Sequence, residues 1–150
     1  MKTLVRGCAF PHDRYYHVAH NVWVQERERG LFALGATSFG VALAGEFVSF
    51  RPKPIGTQVE VDRSVGLIEL WKTLVSVRSP LSGTIAATNE AVAADPSLIN
   101  LDPYGEGWLV LLEAVDREIA LAGLVAGESI GTAFEAAMQL ENFEGLPKAS

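Results

Sequence analysis

The chain has 150 residues, 49% of them hydrophobic and 20% charged, which predicts one globular domain that is large enough for its own core. It contains 12 Lys and Arg against 18 Asp and Glu, and the net charge of −6 disfavours nucleic acid and anionic lipid surfaces as partners. A single cysteine excludes an internal disulfide, and no apolar run is long enough for a signal peptide or a membrane span, so we expect a cytoplasmic monomer.

The first part of the chain alternates short apolar runs with turn residues. Its first twenty residues mix polar and apolar side chains with one proline and three histidines, so we expect an irregular segment there. Thr37 and Ser38 have the side chains of a helix N-cap and Gly45 is typical of a helix end, which predicts a short helix between them. Apolar runs that end at charged, proline or glycine turns predict four strands, at residues 22–24, 31–34, 46–50 and 59–61, with a charged turn at 26–30.

A lysine lies at the junction of the next two β-rich runs. Residues 65–68 and 74–77 are short and apolar, and the sequence Glu-Leu-Trp-Lys-Thr at 69–73 lies between them. This pattern predicts a β-hairpin that presents the amine of Lys72 to solvent. An amine held in this way can be modified by another enzyme.

The remaining third of the chain changes from strands to helices. Two more strands are predicted at 84–88 and 108–113, with one or two helical turns at 90–94 between them. From Asp116 the apolar spacing becomes helical, which predicts one helix that stops near Gly127, a second that is capped by Ser129, and a frayed end at 148–150. Many short strands followed by helices predict a mainly β sandwich or barrel with a helical tail.

The order and spacing of several sequence blocks resemble those of the glycine cleavage system H-protein family between about residues 17 and 113. The most specific blocks are Glu-x-x-Lys ending at Lys72, Ser-Pro-x-Ser-Gly at 79–83 and Asp-Pro-Tyr-Gly-Glu-Gly-Trp at 102–108. The other matching blocks are His20 with Trp23, Leu-Gly-Ala-Thr at 34–37, Ala-Gly-Glu-Phe-Val at 44–48, Asn-Glu-Ala at 89–91, Asp95-Pro96 and Asn100.

This resemblance implies a barrel-sandwich hybrid of the lipoyl type and a carrier that has no active site of its own. A lipoate-attaching enzyme would amidate Lys72 with lipoic acid, and Glu69 and Trp71 beside it would help that enzyme to recognise the tip. The lipoylated lysine would then act as a swinging arm that shuttles an intermediate between partner enzymes. The corresponding division of the chain is an N-terminal extension, a lipoyl-carrier domain and a helical region packed on it, at 1–16, 17–115 and 116–150.

Three departures from the family pattern bear on the cargo of the arm. The tip is Glu-Leu-Trp-Lys where the family has Glu-Ser-Val-Lys, and the acidic positions of aminomethyl carriers, after the His and four residues after the Lys, are Asn21 and Ser76 here. Neutral side chains stabilise a cationic amine less well than carboxylates do. We therefore predict a sulfur cargo, as in the divergent lipoate-binding branch of sulfur oxidisers, with a heterodisulfide-reductase-like complex as partner. The alternative is an aminomethyl carrier that works with the P, T and L proteins of the glycine cleavage system.

Other residues of the chain allow other interpretations. Cys8 is a candidate redox thiol near the arm, or alternatively an inert thiol. The spacing of His12, His17 and His20 matches no strong zinc signature, so no metal site is predicted. An unmodified interaction module that uses the acidic surface and the C-terminal helices is the alternative of another class. No nucleophile or acid–base motif predicts an enzyme.

Overall fold

The computed structural model describes residues 1–146, so the predicted frayed end at 148–150 lies outside the described residues. The strands, in chain order, are β1 (Lys2–Val5), β2 (Cys8–Pro11), β3 (Tyr15–His17), β4 (Val22–Glu28), β5 (Leu31–Ala36), β6 (Phe47–Pro52), β7 (Gln58–Val59), β8 (Ser64–Leu70), β9 (Leu74–Arg78), β10 (Gly83–Thr88) and β11 (Val110–Ala114). The helices are α1 (Ser38–Ala44), α2 (Glu90–Ala94), α3 (Ser97–Leu101), α4 (Arg117–Ala122) and α5 (Ser129–Leu140). Within these residues, no helix combines the length and the apolar character that crossing a bilayer requires.

The strands form three antiparallel sheets. A two-stranded sheet pairs β1 with β2, a six-stranded sheet has the order β3-β4-β5-β11-β10-β7, and a three-stranded sheet has the order β6-β8-β9. The two larger sheets share one hydrophobic core, to which Phe32 and Leu34 contribute from the first and Phe50 and Ile68 from the second. The predicted fold class, mainly β with a sandwich core and C-terminal helices, is confirmed.

A second core lies on the opposite face of the six-stranded sheet. Because successive side chains of a strand point to opposite faces, Val22 and Val24 of β4 enter the main core while Trp23 enters the second. There Trp23 joins Phe10 of β2 and Phe134 of α5, and the rings of these two phenylalanines stack at 4.1 Å. Burial on both faces explains why β4 begins with an uninterrupted apolar run.

The prediction of an irregular segment over the first twenty residues is wrong, because β1 and β2 form a hairpin and β3 joins the large sheet. The hairpin turns at Arg6 and Gly7, whose φ angles of 49° and 87° are both positive, as a two-residue turn of the I′ class requires. Arginine is an unusual residue at the first of these positions. Its guanidinium group binds the Glu135 carboxylate at 2.5 Å and the carbonyl of Phe143, which ties the turn to the C-terminal region.

Helix α1 agrees with its prediction. The Thr37 side chain accepts a hydrogen bond from the Gly40 amide at 3.0 Å, and the Gly45 amide caps the other end with a φ of 84°. The prediction that Ser129 caps the last helix is wrong, because Ser129 is the first residue of α5 and the cap position before it is Glu128.

Two boundaries and one helix also differ from the predictions. Helix α4 ends at Ala122, and its C-cap is Gly123 rather than a residue near Gly127, where the sequence predicts the stop. Strand β4 continues through part of the predicted charged turn to Glu28, with a bulge in its pairing with β5. Helix α3 is not predicted, because Asp95-Pro96 indicates the end of the preceding helical turns, whereas in the structure Pro96 precedes the first residue of α3, a position that suits proline.

Candidate functional site

Strands β8 and β9 form the predicted hairpin, and Lys72 lies at its apex. The last cross-strand pair is Glu69 with Leu74, and the Leu70 amide donates to the Thr73 carbonyl at 2.9 Å. Only residues 71 and 72 extend beyond this bond, and both are exposed to solvent. The amine of Lys72 is therefore presented away from the body of the protein.

The hairpin is anchored in the main core. Ile68, Leu70 and Val77 all bury their side chains there, and β8 is also paired with β6 on its other edge. The Glu69 carboxylate accepts a hydrogen bond from the Ser49 hydroxyl at 3.0 Å across that pair. Because both strands are fixed by pairing and by burial, the apex has a defined position relative to the rest of the domain.

The structure around Lys72 fits the attachment of an acyl group to its amine. In the described part of the chain, no carboxylate forms an ion pair with Lys72. Trp71 beside it is 84% exposed and offers a large apolar surface to an approaching enzyme. Lys2 lies in strand β1 and Lys53 in the irregular segment between β6 and β7, so neither occupies a hairpin apex.

A groove of about 420 Å³ runs along the inner side of this hairpin, and we call it the hairpin groove. Its lining is mostly apolar, and it contains both Asn21 and Ser76, the two positions that the sequence singled out for the cargo. The side-chain oxygen of Asn21 is buried without a hydrogen-bond partner among the described residues. None of the lining residues is acidic: they are His20, Asn21, Val22, Ala36, Gly40, Leu43, Ala44, Phe47, Ile68, Leu70, Thr73, Val75, Ser76, Val77 and Leu109.

Comparison with known proteins identifies the family. A family model described as Glycine cleavage H-protein matches residues 14–137. This chain belongs to that family. It is 40% identical over 125 residues to the glycine cleavage system H protein 5 of Aquifex aeolicus, a match that covers 81% of this chain and 84% of that protein.

Two further H proteins extend the comparison. The probable glycine cleavage system H protein 2 of Sulfolobus acidocaldarius is 32% identical, over 75% of this chain and 76% of that protein. The crystal structure of a glycine cleavage system H protein from Mycobacterium marinum superposes with a TM-score of 0.72 at 30% identity and covers 85% of this chain and 99% of that chain. H-protein family members carry lipoic acid covalently attached to a lysine, so lipoic acid is the cofactor of this protein.

Cys8, the candidate redox thiol, is not among the residues that line the hairpin groove. It is fully buried in the second core, among Phe10, Phe39 and Phe134 rather than beside the hairpin groove. Burial raises the pKa of the Cys8 thiol, an effect that the hydrogen bond with Ser38 opposes only in part. A buried, protonated thiol is a poor nucleophile, which favours the inert alternative for this residue.

Two of the three N-terminal histidines meet a carboxylate that the sequence did not associate with them. The rings of His17 and His20 stack at 3.9 Å, and His20 Nε2 lies 2.6 Å from Oδ1 of Asp62. Asp62 comes from the loop before β8, so only the three-dimensional structure brings it to this place. Burial and the neighbouring His20 lower the pKa of His17, whereas the hydrogen bond from His20 lowers the pKa of Asp62. His12 is elsewhere, bonded to Thr3 at 2.6 Å.

Proposed function

We propose that Lys72 is the lysine that carries lipoic acid, and that the arm carries an aminomethyl group between the P, T and L proteins of the glycine cleavage system. One observation carries this proposal: the only motif lysine lies at the exposed apex of a core-anchored hairpin in a chain of the H-protein family. The relatives described above are all named as glycine cleavage H proteins, which favours this pathway over the sulfur pathway that we predicted from the sequence.

The chain's own residues hold and present the arm. The lipoyl group supplies a ring disulfide that opens to a dithiol, whose thiolate is the reactive species. The fixed hairpin restricts the end of the arm to one region of space, so that it reaches each partner's site at an effective concentration on the order of mM. Chemistry on the cargo then belongs to the partners, and this protein serves as their carrier.

Recognition by the lipoate-attaching enzyme would use the residues beside Lys72. Glu69 is held in place by the Ser49 hydroxyl, which leaves its carboxylate in a defined position near the tip. Trp71 is 84% exposed and would contact the enzyme directly, because aromatic side chains anchor interfaces well. Both residues would thus distinguish Lys72 from the other lysines.

A second candidate function is transport of an uncharged or sulfur-bound cargo to a heterodisulfide-reductase-like complex. The observation that favours it is the hairpin groove, which has Asn21 and Ser76 in its wall and no carboxylate in its lining. A carboxylate about 4 Å from a cationic amine stabilises it by about 1 to 4 kcal/mol, depending on how well solvent screens the pair. An aminomethyl arm that folds into this groove would lack that stabilisation.

Complementation of a strain that lacks its own H protein tests the pathway. If the protein serves glycine cleavage, the wild-type gene should restore glycine-dependent growth and Lys72→Arg should not. Lys53→Arg is the matched control and should restore growth like the wild type. Lipoylated protein without any rescue would favour the sulfur candidate. Equal rescue by wild type and Lys72→Arg would favour the unmodified interaction module.

The variant Ser76→Asp tests the role of the groove. It places a carboxylate in the wall of the hairpin groove, and Thr132→Asp adds the same charge on the exposed face of α5 as a control. If the arm carries a cationic amine, Ser76→Asp should slow the release of the aminomethyl group from isolated, loaded protein, and Thr132→Asp should not. Equal release rates in all three proteins would argue against an amine that rests in the groove.

A further inference from the structure

Two imidazoles and one carboxylate meet at the edge of the hairpin groove, where His20 belongs to the lining. His17 belongs to β3 and His20 to the turn between β3 and β4, whereas Asp62 lies in the loop between β7 and β8. We propose that these three residues form a binding site for a divalent first-row transition metal, for which zinc is the best match. This inference does not depend on the proposed function of Lys72.

The donor set is the first argument. Two imidazole nitrogens and one carboxylate oxygen suit zinc and its neighbours, whereas magnesium and calcium prefer oxygen ligands alone. One ligand atom from each of His17, His20 and Asp62 can be chosen so that all three lie within 4.8 Å of one another. Three protein ligands leave one position of a tetrahedral metal free, as in zinc sites that exchange a fourth ligand.

The distances are close to those that a metal requires. Nε2 of His20 and Nε2 of His17 lie 2.6 Å and 4.0 Å from the same oxygen, Oδ1 of Asp62. Ligands about 2.1 Å from a tetrahedral zinc ion are roughly 3.4 Å apart, so a movement of about 1 Å by the carboxylate equalises the two distances. The Asp62 side chain is 62% exposed and free to make that movement, whereas the two histidines are 23% and 16% exposed. Their rings stack with an interplanar angle of 6°, so one ring must also turn to direct its Nε2 lone pair at the ion.

The backbone on both sides of the cluster is held in place. Asp62 has a φ of 70°, its amide donates to the Ser79 carbonyl at 2.8 Å, and its own carbonyl accepts from the Arg78 guanidinium at 3.0 Å. The His20 amide donates to Nδ1 of His17 at 3.2 Å. This last bond leaves the proton of a neutral His17 ring on Nε2, so ligation through Nε2 would move the proton to Nδ1 and break that long hydrogen bond, a cost that metal binding must exceed.

Metal titration of the full-length, untagged protein tests the site. Chelator-treated protein is titrated with Zn²⁺ by calorimetry and with Co²⁺ by visible absorption, whose band intensity reports the coordination geometry. We expect saturable binding of one ion, and a loss of affinity of at least about tenfold in His20→Gln and in Asp62→Asn, as for other changes at metal sites. Asn tolerates a positive φ as well as Asp does, so Asp62→Asn preserves the loop.

His12→Gln is the matched control, because His12 lies in the same N-terminal segment but bonds to Thr3, outside the cluster. It should bind both metals like the wild type, and thermal unfolding without metal should be similar in all variants. Zn²⁺ should also raise the unfolding temperature of the wild type but not of Asp62→Asn. Absence of saturable binding, unchanged affinity in both cluster variants, or an equal loss in His12→Gln would overturn the proposal.

Discussion

Replacing Gly35 with alanine should destabilise the domain through a single buried contact. A Cβ atom at this position would lie 2.5 to 2.7 Å from Cζ2, Cε2 and Nε1 of Trp23, far inside the usual contact distance of about 3.5 to 4.0 Å. The indole is fully buried, donates to the Pro103 carbonyl at 3.0 Å and lies under the Arg14 guanidinium at 4.5 Å. It therefore cannot move aside without losing contacts.

The magnitude follows from these contacts. Overpacking a core costs about 1 to 3 kcal/mol, and weakening the indole hydrogen bond adds about 0.5 to 1.5 kcal/mol. The lower entropy of an unfolded chain with alanine in place of glycine offsets about 0.4 to 1 kcal/mol. We expect Gly35→Ala to lower the free energy of unfolding by about 2 to 3 kcal/mol, or the midpoint temperature by about 5 to 10 °C for a domain of this size.

Urea and thermal unfolding measure this effect, with Gly123→Ala as the control. A Cβ at Gly123 meets no atom within 4 Å, and the φ of −97° suits alanine, so its free energy of unfolding should stay within about 0.5 kcal/mol of the wild type. In the background of Trp23→Phe, which removes the clashing part of the ring, Gly35→Ala should cost less. A Gly35→Ala protein as stable as the wild type would refute the role of this contact.

Three other changes separate stability from arm loading. Phe134→Ala removes the centre of the second core and should lower the free energy of unfolding by about 3 to 5 kcal/mol. The folded protein should still be lipoylated at Lys72, because the Lys72 hairpin is anchored in the main core. Loss of lipoylation in folded protein would contradict this. The ion pair with Arg117 lowers the pKa of Glu26 from 4.5 to about 2, so its stabilisation should be present above pH 4.5 and lost as the pH falls toward 2. Glu26→Gln should therefore flatten the pH dependence of stability in that window, and an unchanged slope would count against it. Trp71→Ala should slow enzymatic lipoylation without changing the unfolding midpoint, and an unchanged rate would exclude the indole from recognition.

The sequence predicted those features that depend on neighbouring residues. The β8–β9 hairpin follows from two apolar runs around a polar junction, and α1 follows from the cap residues Thr37 and Gly45. The family resemblance identified Asn21 and Ser76 as the positions around the cargo, and the structure places both in the lining of the hairpin groove.

Features that depend on distant contacts could not be predicted. The N-terminal hairpin was not predicted because its turn requires a positive φ at Arg6, which is uncommon for arginine. The ion pair between Arg6 and Glu135, which is distant in the sequence, helps to hold this turn. The burial of Cys8 follows from that same packing. Asp62 and His20 are 42 residues apart in the sequence, so their contact could not be predicted from local spacing.

The central claim is that one amine, that of Lys72, carries the lipoyl group. Intact mass and peptide mapping of protein produced together with a lipoate-attaching enzyme test it most directly. The structure predicts one lipoyl adduct on the peptide that contains Lys72, absent from Lys72→Arg and retained in Lys53→Arg. An unmodified Lys72, or an adduct on any other lysine, would contradict the claim.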